Sequence, residues 1–144
     1  MKYVLVFLSA MTFLMQGAVG VQAQACVLEG VTLSCPGEND SDVLAAFATT
    51  DTRALLSDPA AQLERFEKPF DMETFRRSLE AVWKQVNRAE RRERRRMRQG
   101  KISAETFEAW AQDYRSAEAN YAAGLNFYRN LVWLGKTGKA PPKG

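Results

Sequence analysis

Two apolar stripes of helical period, one on each side of Gly100, constrain this chain more than any other feature. Met72, Phe75, Leu79, Val82 and Val86 recur every three or four residues, with Trp83 beside them. Beyond Gly100 the run Phe107, Trp110, Tyr114, Ala117, Tyr121, Gly124, Tyr128 and Leu131 keeps the same spacing. Such stripes specify helices that bury one face against a partner. The first long helix is expected from about Asp71 to Gln99, the second from Ser103 to about Leu134. Gly100 supplies the stop, and Ser103 opens the next helix as its cap. A turn this short folds one helix back on the other. The antiparallel register puts Val82 opposite Tyr121 and Leu79 opposite Gly124, where the missing side chain permits close approach.

Two helices alone leave apolar edges wet. Val43, Leu44, Phe47, Leu55, Leu56, Leu63, Phe66 and Phe70 are expected to cover them from the preceding segment. That segment reads as a helix through "VLAAFATT", capped by Asp40, Ser41 or Asp42 after the turn-forming "PGENDSD". Two helical turns follow in "DTRALLS" and "DPAAQLERF", the latter with Asp58 as cap and Pro59 at the first helical position. The expectation is an all-α domain: an antiparallel long-helix hairpin packed by short N-terminal helices, over residues 40–134. Residues 135–144, "GKTGKAPPKG", read as a flexible basic tail.

The charge is concentrated at one place. Arg88, Arg91, Arg92, Arg94, Arg95, Arg96 and Arg98 lie within eleven residues, interrupted by Ala89, Glu90, Glu93 and Met97. At 100° per residue, Met72 to Val86 occupy an arc of about 100°. Glu90, Glu93 and Met97 fall on that arc and Ala89 at its margin. All seven arginines fall on the other roughly 200°. They avoid the core seam and, with Lys101, form one basic surface beside the turn. The two seam glutamates need buried donors, for which the Trp110 indole or the Tyr114 hydroxyl is expected. A polar pair that sets register is the expected role of Glu90 and Glu93. With Asp113 near, they also form the one carboxylate group that acid–base chemistry would use.

The division of charge extends to the whole chain. From Cys26 to Thr74 there are ten acids and three bases, a net of −7; from Phe75 to Gly144 sixteen bases and seven acids, a net of +9. The acidic part can therefore neutralise the basic part internally, together with Glu105 and Glu108. Whatever it leaves free is available to an external anion.

The first 25 residues indicate an address. Lys2 precedes an apolar run from Tyr3 to Met15, and Ala23-Gln24-Ala25 fits the small-x-small cleavage rule. The run is shorter than the roughly 20 residues that span a bilayer. A cleaved signal peptide over 1–25 is expected, which places the remaining chain in the periplasm or outside the cell, with no transmembrane segment after cleavage. There Cys26 and Cys35, the chain's two cysteines, read as a disulfide stapling segment 26–39. The β-prone "VLEGVTLS" around Gly30 makes a small hairpin the expected content of that loop. Lipidation of Cys26 is the competing reading, weakened by Ala23 and Gln24 where a lipobox has Leu and a small residue. Asn39-Asp40-Ser41 is a formal glycosylation sequon.

Enzymatic motifs fail. "GKTGK" at Gly135 shares the end of a phosphate-binding loop, but the first glycine would be residue 130, which is Asn130. The chain has no histidine, and its cysteines are expected to be paired, so no metal site is expected. Asp40 and Asp42 lack the glycine and spacing of a calcium loop. No enzymatic activity and no cofactor are expected. The expected partner is an envelope or secreted protein, or an anionic lipid or polysaccharide surface, met by the arginine face. Nucleic acid is not expected, since no recognition motif accompanies the basic run.

One stretch, "KISAETF", resembles the Leu-Thr-x-x-Gln repeat of periplasmic stress chaperones built as basic helical hairpins. Ile102-Ser103 stand for Leu-Thr and Thr106 for Gln, over five residues and once in the chain. What the resemblance implies is holdase activity, the alternative to the binding role.

Overall fold

The computed structural model describes residues 24–57, 59–67 and 69–139, without the side chains of residues 60 and 61. The expected signal segment falls almost wholly on residues outside these. The described chain begins with a hairpin in which β1 (Val27–Glu29) pairs antiparallel with β2 (Thr32–Ser34), Val27 facing Ser34 and Glu29 facing Thr32. The Cys26–Cys35 disulfide closes its open end, with Cα atoms 4.2 Å apart. A lone two-stranded hairpin is marginal in water. This one is anchored twice from outside. The Leu33 N–H donates to Ser78 Oγ at 2.9 Å, and the Cys26 N–H donates to the buried Thr50 Oγ1 at 3.0 Å. Cys26 and Leu33 are thereby drawn into the main core.

Helix α1 spans Asp40–Ala48. Its cap is Asn39 rather than any of the three residues after it: the Asn39 side chain accepts from the Asp42 N–H at 2.9 Å. Asp40 and Asp42 instead occupy the first turn, where their charge favours the positive end of the helix dipole. Val43, Leu44, Ala46 and Phe47 form its buried face. Two short helices follow, α2 (Thr52–Leu55), capped by Asp51, and α3 (Pro59–Gln62), which runs into a 3-10 turn at Leu63–Arg65. Pro59 takes the first helical position as expected, while the expected cap Asp58 lies outside the described residues.

The two long helices are α4 (Phe70–Arg98) and α5 (Ala104–Thr137), about 43 and 51 Å long at 1.5 Å per residue. Gly100, at φ +72°, closes α4 with the two bonds of a Schellman motif: the Gly100 N–H donates to the Met97 carbonyl and the Lys101 N–H to the Arg96 carbonyl. Ser103 caps α5 by accepting from the Thr106 N–H at 3.0 Å. The far end of α5 continues through Thr137, past the expected stop, so Gly135, Lys136 and Thr137 are helical rather than tail.

Contacts between α4 and α5 step down one helix as they step up the other. Arg94 lies over Phe107, Asn87 bonds Tyr114, Trp83 stacks on Tyr121, Leu79 meets Gly124, and Glu73 bonds Tyr128. That is the expected antiparallel register. At Gly124 an added Cβ would stand 2.8 Å from Leu79 Cδ2 and 2.9 Å from Cδ1. Met72, Phe75, Leu79, Val82, Val86 and Ala89 are all buried on α4, and α1 packs across both long helices to complete one core. Phe66, Phe75 and Phe127 meet edge to face at its centre, with centroids 5.4–6.0 Å apart. Each such ring contributes about 1.5–3 kcal/mol by burial.

Phe70 departs from expectation and is 73% exposed. The reason is the start of α4. Helical from Phe70 onward, the chain fixes that residue about 160° from Met72 on the wheel, opposite the core.

Candidate functional site

The arginine run occupies the last three turns of α4, and the wheel places it correctly. Arg88, Arg91, Arg92, Arg94, Arg95, Arg96, Arg98 and Lys101 are all exposed, while Ala89 and Glu93 are buried. The run needs no support of its own to be helical. The apolar stripe below it, the Schellman stop at Gly100 and the registered contacts with α5 hold the backbone.

The eight cations divide into three groups by what their head groups meet. Arg94 and Arg96 flank the seam and turn back onto it. Arg94 reaches Glu90 (Nε to Oε1 2.7 Å) and lies 5.3 Å over the Phe107 ring. Arg96 holds both oxygens of Glu93 at 3.1–3.2 Å. Arg88 crosses to α1, where its Nε stands 3.1 Å from Asp40 Oδ2, and Arg92 donates to the Ser41 hydroxyl at 2.7 Å. The side chains of Arg91, Arg95, Arg98 and Lys101 have no hydrogen-bond or ion-pair partner among the described residues.

Among the described residues the acidic segment thus neutralises one cation of the run, through Asp40. Glu105 and Glu108 do not serve as expected: Glu108 pairs with Arg115 at 2.9 Å within α5, and Glu105 has no ion pair among the described residues. Exposed pairs of this kind contribute about 0–1 kcal/mol each. Repulsion acts the other way. Arg91 and Arg95 are four residues apart, Arg95 and Arg98 three, and like charges at these spacings cost about 0.2–0.5 kcal/mol per pair.

Glu90 and Glu93 lie on the seam as expected, but their donors differ from those expected. Both carboxylates are satisfied by the flanking arginines, whose long stems lie along the helix so that the guanidinium reaches back. Tyr114 donates to Asn87 Oδ1 at 2.9 Å and leaves the glutamates alone. Its hydroxyl pKa is raised, first by burial, then by the negative charges of Glu118 and Glu90, against the opposing Arg94. Asp113 is exposed on α5.

Between the seam's back and the start of α1 lies a basin of about 420 Å³, lined by Asp40, Arg88, Arg91, Arg92 and Arg95. These four arginines span a 100° arc centred opposite the core. Sequence reasoning separated the basic face from the seam but missed the basin. Its floor depends on α1 reaching Arg88, a contact between residues 48 positions apart.

At the opposite end of the hairpin is a second concavity, about 550 Å³ and apolar, lined by Phe70, Met72, Tyr128 and Val132 with Glu73 and Lys136 among its polar members. Glu73 is bound there by Arg76 and receives the Tyr128 hydroxyl at 3.3 Å. The Arg76 hydrogen bond holds the Glu73 carboxyl below its usual range. Among the described residues no helix is long and apolar enough to cross a membrane. Comparison with known protein families, with curated proteins and with solved structures finds no match for this chain.

Proposed function

We propose that this chain is an exported binding protein, without catalysis of its own, that engages an anionic partner through the basic face of α4. One observation carries the reading. Arg91, Arg95, Arg98 and Lys101 have no partner among the described residues, on a helix whose position the opposite face already determines. The helix dipole favours Arg95 and Arg98, in the last turn of α4, by about 0.3–1 kcal/mol each, and close like-charge pairs take back a few tenths of a kcal/mol apiece. A cluster with no internal counter-charge among the described residues is consistent with an external one, whether the acidic patch of an envelope protein or an anionic lipid or polysaccharide surface. The disulfide and the signal-like opening both fit export into an oxidising compartment.

The test reverses charge at the four unpaired positions (R91E, R95E, R98E and K101E together). Helicity by circular dichroism should be retained and retention on anionic vesicles lost. Binding undiminished by the reversal would sink the proposal.

The holdase alternative draws support from a different place, the apolar concavity with Phe70 standing free at its rim. Suppression of client aggregation by the native chain, lost in Phe70→Ser, would favour it. No suppression at stoichiometric excess would dismiss it.

A further inference from the structure

The basin at the α1–α4 junction differs from the rest of the basic face, and we infer that it is a site for a phosphate group. The inference rests on the anion-binding reading above and narrows it to one place and one chemistry.

The argument begins with spacing. Arg88, Arg91, Arg92 and Arg95 stand at i, i+3, i+4 and i+7, the repeat that brings side chains to one side of a helix. All four line the same basin, with Asp40 as the one acid in its wall, which leaves an excess of three positive charges. Arg98 and Lys101, equally without partners among the described residues, stand outside it.

Two of the four guanidiniums are held from the side. Arg88 is fixed by Asp40, and Arg92 by the Ser41 hydroxyl. The Ser41 contact is with a neutral group, so it orients Arg92 without spending its charge. The nearest carboxylate to Arg92 is Glu93, at 3.9 Å and committed to Arg96 at 3.1 Å. Arg91 and Arg95 complete the ring with all donors open. Part of the entropy that long side chains lose on gripping a ligand has therefore been spent in the folded protein.

The residue type points to the ligand class. A guanidinium presents a planar fork that fits two oxygens of a carboxylate or a phosphate, whereas an ammonium acts as a point charge. The basin contains arginine alone among the cations. A carboxylate has two oxygens in one plane and satisfies one fork, or two with shared oxygens. A phosphate monoester carries three outward oxygens in a tetrahedral arrangement and close to two negative charges. It can accept from Arg91, Arg92 and Arg95 together, and its charge balances most of the excess. The volume of about 420 Å³ leaves room for the ester's first substituent.

A lipid headgroup and a soluble ester both present this group, and the experiment separates the two sources. Inorganic phosphate and, as a carboxylate control, acetate are titrated into the disulfide-bonded protein while the arginine Nε–Hε resonances are followed by NMR. Vesicles of phosphatidylcholine with and without phosphatidic acid form a second arm. Phosphate should shift the Arg88, Arg91, Arg92 and Arg95 signals with acetate far weaker. R91Q/R95Q should weaken phosphate binding about tenfold or more, given one or more charge-assisted bonds lost. R91K/R95K, which keeps charge and loses the fork, should fall between, and R98Q/K101Q should change affinity less than twofold.

Capture by phosphatidic acid vesicles that R91Q/R95Q abolishes supports the site with a lipid source. Phosphate binding without vesicle capture supports it with a soluble source. Equal weakening by R91Q/R95Q and R98Q/K101Q overturns the basin while the general anion-binding reading stands. No effect from either pair overturns both, and acetate binding as tightly as phosphate overturns the assignment of chemistry.

Discussion

At Gly124 the packing of the two long helices reduces to a single pair, and a substitution there has a sign that depends on its neighbour. Alanine in place of glycine inside a helix is favourable by about 1 kcal/mol from backbone entropy alone. Here the new methyl would sit 2.8–2.9 Å from both terminal carbons of Leu79, a side chain that is itself 1% exposed. Leu79 can yield only by pressing into a filled core, and overpacking of this kind costs about 1–3 kcal/mol. Gly124→Ala should therefore be neutral to destabilising by about 2 kcal/mol, the difference of the two effects. Leu79→Ala alone should cost about 2–5 kcal/mol. In that background the obstruction is gone, so Gly124→Ala should stabilise by about 1 kcal/mol. Urea unfolding of the four proteins, read as midpoint shifts at unchanged slope, measures the cycle. Equal stabilisation by Gly124→Ala in both backgrounds would refute the register on which the account of α4 and α5 depends.

Two more predictions concern the periphery. Replacing both cysteines with serine opens a loop spanning a sequence separation of 9. The chain-entropy relation for that loop gives a loss of about 2.7 kcal/mol, checked by urea unfolding with and without reductant. Tyr114 predicts an alkaline limb. Its folded pKa is raised above the ordinary 10.0, so the stability linked to its protonated form is intact below pH 10 and falls as pH rises through the folded value. Tyr114→Phe should lose that limb and, through the orphaned Asn87 contact, about 1 kcal/mol at neutral pH; thermal melts across alkaline pH decide it.

The helical hairpin was readable because its signals are local and repeated. The stripes from Met72 to Val86 and from Phe107 to Leu131 fix which faces meet, and Gly100 with Ser103 marks the turn. The wheel also placed Glu93 on the seam and the arginines off it, and Glu93 is 9% exposed. What the reading missed depends on partners distant in sequence. Asn120 looks like a polar interruption of α5, yet its amide donates to the Phe47 and Thr50 carbonyls at 2.8 and 3.1 Å and closes the end of α1. Phe127 lies one step off the chosen stripe and is buried because Phe66 covers the adjoining face. The donors to Glu90 and Glu93 come not from the partner helix but from neighbouring arginines that curl back along α4. Opposed charge along the chain indicated which segments attract; it could not select Asp40 and Arg88 from ten acids and sixteen bases.

The central claim is that Arg91, Arg95, Arg98 and Lys101 serve a partner rather than the fold. Neutralising all four to glutamine in one protein, and measuring its thermal midpoint and its affinity for anionic vesicles side by side, tests this most directly. The account predicts a midpoint nearly unchanged, relief of like-charge repulsion offsetting the lost dipole attraction of Arg95 and Arg98, together with loss of binding. A lowered midpoint with binding intact would contradict it.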